Sequence, residues 1–259
     1  MSSTQNSTSS QLLEKIIGAA RSAGMAIMEI YATDFDVAKK SDASPVTAAD
    51  EKAEAVILKA LATIAPEIPV VSEEAASAGH IPDFGNRFWL VDPLDGTKEF
   101  ISKNGEFTVN IALIENHKPV LGVVLAPALN RLFAGVVGEG AFIEDAGVRR
   151  AIRCRQVPAE GLTVVSSRSH GDAAALDAFL AGRKVATSVN AGSSLKLCLI
   201  AAGEADMYPR LGRTMEWDIA AGHAVLSAAG GFVKTLEGKE LGYGKDGLDN
   251  PHFVATGAA

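Results

Sequence analysis

Apolar residues recur at helical spacing in two segments near the start of the chain. The first covers residues 11–31 (QLLEKIIGAARSAGMAIMEIY), and its pattern predicts a long amphipathic helix. The second, SPVTAADEKAEAVILKALATIA, contains Pro45 and Thr47 near its beginning, and these residues are typical of a helix start. Asp50 falls in the first turn of this second helix, where a negative charge is favoured.

Shorter apolar runs bounded by turn residues predict strands in the rest of the chain. IPVVSEEA and RFWLVDPLDG are predicted strands that end in acids, and residues 107–143 predict a meander with turns at 116–118, 127–130 and 138–140. LTVVSSRSH, GFVKT and HFVAT predict further strands in the second half. Helices are expected near DAAALDAFLA, SSLKLCLIAAGEADMY and WDIAAGHAVLSAAGG.

Mixed strands and helices with few strand–helix–strand repeats favour an α+β fold in which layers of helices and sheets alternate. No G-x-G-x-x-G motif follows a predicted strand, so a simple doubly wound dinucleotide-binding sheet has less support. We expect a disordered tail over the Ser/Thr-rich residues 1–10 and a single domain over residues 11–259. Two halves, at 11–150 and 151–259, are expected within that domain.

The composition narrows the classes of function. The 259 residues are 47% apolar, which allows a large core, but no run of about 18 apolar residues suggests a membrane span. The formal net charge of −7 argues against a protein that binds a nucleic-acid polymer through many phosphates. The start lacks an apolar signal segment, and Cys154 and Cys198 match no metal-ligand spacing. We therefore expect a cytoplasmic protein with reduced structural cysteines, and peripheral association with the inner membrane face stays open.

Acidic residues occur where predicted strands end and helices begin, which is where sites are commonly built. These residues are Asp50, Glu73, Glu74, Asp92, Asp95 and Asp218. Because no Cys/His cluster accompanies them, the oxygen-only set favours Mg²⁺ or Mn²⁺ over zinc. Each has a simpler interpretation on its own, as an acid in a solvated turn, in a charged loop or at a helix start. Spacing alone leaves open whether they converge.

The segment DPLDGT has its own local constraints. Pro93 prevents an ordinary helix and is expected to hold Asp92 and Asp95 in a fixed turn. Gly96 and Thr97 then offer backbone N–H groups at a helix start, which suit a phosphate oxygen. Metal ions beside a phosphate seat imply phosphoryl transfer to water.

The segments VVSEEA, WLVDPLDGTKEF and WDIAAGHAVLSAAGG occur in this order along the chain. Together they resemble the inositol monophosphatase superfamily of lithium-sensitive, Mg²⁺-dependent phosphatases, and the resemblance covers nearly the whole chain after the N-terminal tail. It implies a layered αβαβα sandwich of the inositol monophosphatase/fructose-1,6-bisphosphatase type. Two or three Mg²⁺ ions, with Mn²⁺ as a substitute, would lie between its halves.

The same resemblance implies a metal site with shared ligands. Glu73, Asp92 and the backbone carbonyl of Leu94 would hold one metal ion. Asp92, Asp95 and Asp218 would hold a second ion, so that Asp92 bridges the two. Glu73 would also contact a third ion through water.

By resemblance, four residues would act on water and on the phosphate. Thr97 and Asp50 would orient and activate the attacking water, with Glu74 as an assistant. The N–H groups of Gly96 and Thr97 would hold the phosphate. Paired metal ions lower the pKa of water and neutralise phosphate charge, so the physical chemistry agrees with these roles.

Three stretches, DGTKEF, SSRSHGD and GSSLKLCLIAAGEADMYPRLGRTMEWD, are similar to the 3'(2'),5'-bisphosphate nucleotidases of this superfamily. Those enzymes remove the 3'-phosphate of 3'-phosphoadenosine 5'-phosphate, a by-product of sulfate activation, and leave AMP. The implied substrate residues are Ser169, His170, Gly192, Ser193, Lys196 and Arg210. His170 would lie near the adenosine, and Lys196 and Arg210 near the 5'-phosphate. Gly192 would let the backbone approach the substrate closely.

Simpler interpretations stay open for these residues. His170 would equally serve as a helix cap, Lys196 as a solvated helix residue, and Arg210 as an ion-pair partner of Glu216. Arg213 stands where many relatives have proline, and its charge near the pocket keeps inositol or sugar monophosphates open as substrates.

An alternative of another class is a non-catalytic regulator that binds a nucleotide and a metal ion. All the acids of the implied metal site and Thr97 are present, which favours an enzyme. His223, within AAGHAVL, is assigned to helix packing rather than to metal ligation. We expect a monomer or homodimer whose partner is a small nucleotide bisphosphate.

Overall fold

Helices and strands alternate in a computed structural model that describes residues 2–39, 45–168 and 173–257. The helices are α1 (Ser2–Tyr31), α2 (Ala48–Ile64), α3 (Glu73–Ser77), α4 (Thr97–Ile101), α5 (Ala173–Leu180), α6 (Leu195–Ala201) and α7 (Glu216–Ala228), with 3₁₀ turns at Pro127–Leu129 and Asp246–Leu248. In the described part of the chain, none of these helices combines the length and apolar character needed to cross a membrane.

The first half of the chain forms a seven-stranded sheet. Its strands are β3 (Val70–Ser72), β4 (Arg87–Asp95), β5 (Thr108–Glu115), β6 (Lys118–Ala126), β7 (Arg131–Val136), β8 (Gly140–Asp145) and β9 (Val148–Ile152), and they lie in chain order. Strands β3 and β4 are parallel, and every later pair is antiparallel. A two-stranded ribbon of β1 (Ala38–Lys39) and β2 (Pro45–Val46) lies outside this sheet.

Alternation along the strands gives the large sheet two apolar faces. On β4, Trp89 and Val91 join a core cluster that contains the buried residues of α1 and α2. Phe88 and Leu90 point to the opposite face and join a second cluster with α6 and α7. Both faces are therefore covered by helices, as the near-continuous apolar runs of these strands predict.

The second half of the chain forms a five-stranded sheet. Its strands are β10 (Leu162–Ser167), β11 (Val185–Ala191), β12 (Met207–Arg210), β13 (Phe232–Thr235) and β14 (Phe253–Thr256), in the order β11-β10-β12-β14-β13. Helices α6 and α7 share one buried cluster with residues of both sheets, so they lie between them. Helix α5 belongs to the connection between the parallel strands β10 and β11. The predicted layered α+β fold is confirmed.

The structure differs from the sequence-based expectations at four elements. Helix α1 begins at Ser2, nine residues before the predicted start at Gln11, and the disordered tail expected over residues 1–10 stays a prediction. Helix α6 ends early because Gly203, at φ +71°, takes up the left-handed conformation that closes a helix. Strand β12 follows where helix was expected, and the polar strand β11 has no alternating pattern that would predict it.

Helix α7 packs unusually close to the large sheet at Gly122 on β6. A Cβ atom at this position would lie 2.3 Å from the backbone oxygen of Ala221 and 2.8 Å from the Cβ of Ala224. Because the first of these atoms is backbone, the contact is not relieved by a side-chain rotation. The absence of a side chain at Gly122 therefore sets the distance between α7 and the sheet.

Gly122→Ala should destabilise the protein by roughly 1–3 kcal/mol, the usual effect of overpacking a core. Chemical denaturation monitored by circular dichroism would measure the change in the free energy of unfolding. Gly18→Ala is the matched control, because Gly18 is an exposed helical glycine with nothing within 4 Å of the added Cβ. The control should be neutral or stabilising by up to about 1 kcal/mol. Equal effects of the two substitutions would contradict the close packing.

Candidate active site

One cavity, of about 710 Å³, collects most of the predicted site residues. Its lining includes residues of α3, β4, α4, α6, β12 and the start of α7. The predicted residues among them are Glu73, Asp92, Leu94, Asp95, Gly96, Thr97, Ser193, Lys196, Arg210 and Asp218. The convergence that spacing alone left open is therefore present in the fold.

Three acids from three different elements form the centre of one wall. Glu73, Asp92 and Asp218 each offer a carboxylate oxygen, and these oxygens lie within 4.8 Å of one another. Burial, together with the charges of Glu73, Asp95 and Asp218, raises the pKa of Asp92 well above its ordinary value. Burial and the charges of Asp95 and Glu73 do the same to the pKa of Asp218. A positive charge placed between these carboxylates would therefore relieve their mutual repulsion.

A β-bulge explains how Asp92 and Asp95 reach the same wall. In a regular strand, residues three apart point to opposite faces. In β4, Asp92 pairs with Asn110 and Asp95 with Thr108, so two residues of β4 face only Val109 of β5. The extra residue returns Asp95 to the side of Asp92. Pro93 therefore lies within a bulged strand, and the prediction of a turn at this residue is wrong.

Asn110, on the neighbouring strand β5, orients Asp95. Its Nδ2 donates to Oδ2 of Asp95 at 3.3 Å, and its side chain is fully buried. Burial, opposed by Lys196 and by this hydrogen bond, raises the pKa of Asp95 to about 6. The sequence-based prediction missed Asn110, although a lone amide inside the apolar run TVNIALI was the available signal.

Asp50 and Asp218 each serve a helix start and the site at the same time. Oδ2 of Asp50 accepts from the backbone N–H and from the hydroxyl of Thr47 at 2.8 Å each. Oδ2 of Asp218 accepts from the backbone N–H of Met215, also at 2.8 Å. Because a carboxylate has two oxygens, capping one helix end leaves the second oxygen available to the site. The helix-start interpretation of these acids is confirmed, and their functional roles stay predictions.

Thr97 connects Asp50 to the cavity. Its hydroxyl donates to Oδ1 of Asp50 at 3.3 Å, and Asp50 is almost completely buried. Gly96, which directly precedes α4, has φ +92°, a conformation that favours glycine. The predicted pair of Asp50 and Thr97 is thus in contact, while the assignment of water to that pair stays a prediction.

Lys196 lines the same cavity and is only 6% exposed. Its Nζ donates to the backbone oxygens of Ser193 at 2.5 Å and Ala191 at 3.4 Å, and lies 5.4 Å from the centre of the Tyr208 ring. Burial lowers the pKa of Lys196 to about 8, although the charge of Asp95 raises it. The alternative of a solvated helix lysine is therefore wrong.

Two arginines add positive charge to the same region. Arg210 lines the cavity and donates to the backbone oxygen of Arg213 at 2.9 Å. Arg213 also lines the cavity, and its Nε donates to Oδ1 of Asp249 at 2.8 Å. Glu216, the alternative partner of Arg210, accepts instead from the backbone and ammonium groups of Lys245.

Several predicted residues have other surroundings. Glu74 is not among the residues that line the cavity, because successive helical residues point in different directions and Glu73 faces it. Gly192 does not line the cavity either. A Cβ atom at Gly192 would lie 2.7 Å from the backbone oxygen of Glu106, so the close approach seen here is to protein, and an approach to substrate stays a prediction. Ser169 and His170 lie outside the described residues.

His223 and the cysteines behave as packing residues. His223 is buried on α7, where its Nδ1 lies 2.8 Å from the hydroxyl of Tyr243, and burial lowers its pKa to about 3. Cys154 and Cys198 are buried and not joined in a disulfide. Burial also raises the pKa of the Cys198 thiol, which keeps it protonated.

The donor set fits a hard divalent cation. The three clustered carboxylates present oxygen atoms only, and no histidine or cysteine of the described residues belongs to the cluster. Their mutual repulsion is relieved when a cation lies among them, which is the ordinary reason for burying acids together. Glu73, Asp92 and Asp218, with Asp95 adjacent on β4, are therefore able to hold a metal ion.

The sequence and the fold are similar to those of known proteins. Residues 8–257 match the model of the inositol monophosphatase family. A 3'(2'),5'-bisphosphate nucleotidase CysQ of Shigella flexneri is 50% identical over 247 residues, which cover 93% of this chain and 98% of the relative. The protein of the same description from Salmonella typhimurium is 50% identical over 250 residues, with 95% and 99% covered. A crystal structure of CysQ from Bacteroides thetaiotaomicron, described as a bacterial member of the inositol monophosphatase family, has a TM-score of 0.77 at 38% identity and covers 95% of this chain and 97% of its own. The chain therefore belongs to the inositol monophosphatase family.

Proposed function

We propose that the protein is a Mg²⁺-dependent 3'(2'),5'-bisphosphate nucleotidase. Its substrate would be 3'-phosphoadenosine 5'-phosphate, and its products AMP and inorganic phosphate. The observation that carries the proposal is a single cavity with an acidic, metal-fitting wall and a cationic side containing Lys196 and Arg210. The names of relatives at 50% identity, both 3'(2'),5'-bisphosphate nucleotidases, support this substrate class.

A substrate with two phosphates suits a cavity with two kinds of charge. One phosphate would approach the carboxylate wall together with its cation, where the bond is broken. The other would bind the ammonium of Lys196 and the guanidinium of Arg210, which offer charge-assisted hydrogen bonds. A monophosphate such as inositol 1-phosphate would use only the first of these regions.

Mg²⁺ is the proposed metal ion because the ligands are carboxylates and the substrate is a phosphate ester. Glu73, Asp92, Asp95 and Asp218 would hold it, with the carbonyl of Leu94 as the predicted additional ligand. When bound, the metal would neutralise phosphate charge and make water more acidic. The number of ions, two or three, comes from the resemblance alone.

Asp50 and Thr97 are proposed to act on the attacking water. The hydroxyl of Thr97 donates to Oδ1 of Asp50, and the lone pairs of Thr97 Oγ1 would accept a hydrogen bond from water. Asp50 is anchored through its other oxygen by Thr47, which fixes the direction of this contact. A proton leaving the water would pass to the hydroxyl of Thr97 while that hydroxyl gives its own proton to Asp50.

The remaining predictions concern the setting of the reaction. Removal of a by-product of sulfate activation would place the enzyme in sulfur metabolism, in the cytoplasm. Glu74 as an assistant to water activation, the phosphate seat at Gly96 and Thr97, and a monomeric or homodimeric state also stay predictions.

Phosphate release with Mg²⁺ should favour 3'-phosphoadenosine 5'-phosphate over inositol 1-phosphate by about a hundredfold or more in kcat/KM, since a second charged contact contributes this much. The two substrates would be compared side by side in a colorimetric phosphate assay. Preference for inositol 1-phosphate would keep the metal site but overturn the nucleotide substrate. Release from neither compound would instead favour the non-catalytic regulator.

Asp92→Asn should lower kcat by about three orders of magnitude, because it removes the charge at the centre of the metal ligands. The melting temperature of the metal-free variant should equal or exceed that of the wild type, because one repelling charge is gone. Asp177→Asn, at an exposed position on α5, is the matched control and should change neither quantity. Near-normal turnover of Asp92→Asn would refute a central role for this ligand.

Lys196→Met should raise KM for 3'-phosphoadenosine 5'-phosphate by about tenfold to a hundredfold, because it removes a charged donor but keeps the packing of the stem. KM for adenosine 3'-phosphate, which lacks the second phosphate, should change little. Lys184→Met is the control, since Lys184 also donates to a backbone oxygen, that of Ala159, at an exposed site. Equal changes for both substrates would remove Lys196 from the second phosphate.

A further inference from the structure

Glu106, in the connection between α4 and β5, holds parts of the second half of the chain. One carboxylate oxygen, Oε2, accepts from the backbone N–H of Gly192 at 2.8 Å and from Nε of Arg168 at 2.9 Å. The other, Oε1, accepts from a terminal nitrogen of Arg168 at 2.8 Å. The side chain of Glu106 therefore makes three hydrogen bonds to two segments in the half of the chain that forms the five-stranded sheet.

The two segments lie at the ends of neighbouring parallel strands. Arg168 directly follows β10, and Gly192 directly follows β11. The guanidinium of Arg168 also donates to the backbone oxygen of Asn190 on β11 at 3.2 Å. Glu106 and Arg168 together thus tie both strand ends to the half of the chain that carries Asp92 and Asp95.

The turn that Glu106 holds is the one that holds Lys196. Nζ of Lys196 donates to the backbone oxygens on either side of Gly192, those of Ala191 and Ser193. Gly192 itself is packed so tightly that a Cβ would lie 2.7 Å from the backbone oxygen of Glu106. Movement of this turn would therefore move the carbonyls that direct the ammonium.

Opposite charges strengthen the contact between Glu106 and Arg168. The side chain of Glu106 is 22% exposed. Burial would raise its pKa, but the hydrogen bonds from Arg168 and from the Gly192 N–H outweigh burial and lower it. The carboxylate therefore stays ionised at neutral pH, and a bidentate pair with arginine has a fixed geometry.

We propose that Glu106 is a positioning residue that sets the place of Lys196, and through it the affinity for the second phosphate of the substrate, with Arg168 as its partner. The inference rests on the proposed bisphosphate nucleotidase function. Glu106 does not line the cavity, so its effect passes through the turn at Gly192 and not through contact with substrate.

Steady-state kinetics of Glu106→Ala, Arg168→Ala and the double variant would test the proposal. Each would be measured with 3'-phosphoadenosine 5'-phosphate and with adenosine 3'-phosphate. Glu106→Ala should raise KM for the bisphosphate by about tenfold, which corresponds to one charged hydrogen bond. The kcat for the bisphosphate, and both kcat and KM for adenosine 3'-phosphate, should stay within about twofold of the wild-type values. The double variant should be no worse than the more affected single variant, because the two residues act as one unit.

Two further variants separate positioning from general stability. Glu14→Ala is the matched control, because Glu14 also makes a two-nitrogen contact with an arginine, Arg149, but outside the cavity. It should leave the ratio of the two KM values unchanged. Glu106→Gln keeps an acceptor for the Gly192 N–H, so it should restore most of the bisphosphate affinity. If Glu106→Ala does not fold, Arg168→Ala serves as the test, because it removes the partner of Glu106 and should raise KM for the bisphosphate selectively.

The outcomes distinguish the two claims. A wild-type enzyme with no preference for the bisphosphate over adenosine 3'-phosphate would overturn the proposed function. A clear wild-type preference that Glu106→Ala and Arg168→Ala leave unchanged would overturn the positioning role alone. Equal increases in KM for both substrates would do the same, because they indicate a general loss of structure.

Discussion

Crowding of buried carboxylates is the constraint on which the rest of this structure depends. Glu73, Asp92 and Asp218 approach within 4.8 Å, and Asp95 is close enough to share their charge. Acids at such separations in a buried place are unfavourable unless protons or cations lie among them. The helices and strands nevertheless hold these acids close together. Folding therefore creates a site whose electrostatic energy is lowered when a cation binds.

The layered architecture supplies both sides of the cavity. The large sheet and the short helix after β3 give one set of acids, and the helices between the sheets give Asp218 from α7 and Lys196 from α6. The hydroxyl of Ser194, just before α6, donates to the backbone oxygen of Asp218 at 2.8 Å and joins these two helices at their site ends. Because α7 lies hard against Gly122, the acid it carries has little freedom to move away.

Periodicity and local chemistry in the sequence predicted the long helices, the meander and the acids at element ends. Motifs that resemble the family then placed those acids in one site. What escaped prediction depends on contacts between distant segments. The bulge at Pro93 is visible only in the register against β5, the amide of Asn110 only once it faces Asp95, and the contact of Glu106 with Gly192 only when the two halves meet. No local pattern encodes such pairings.

The helix-capping contact of Asp218 has a consequence for how a cation would be captured. Asp218, a proposed metal ligand, is restrained by the backbone N–H group of Met215, so its rotamer is fixed during folding. A ligand whose side chain is already ordered loses little conformational entropy when an ion arrives. Preorganisation of this kind favours tight binding, and loading of the ion does not wait for a loop to fold. The hydrogen bond that caps the start of this helix would therefore also affect how the protein binds its metal ion.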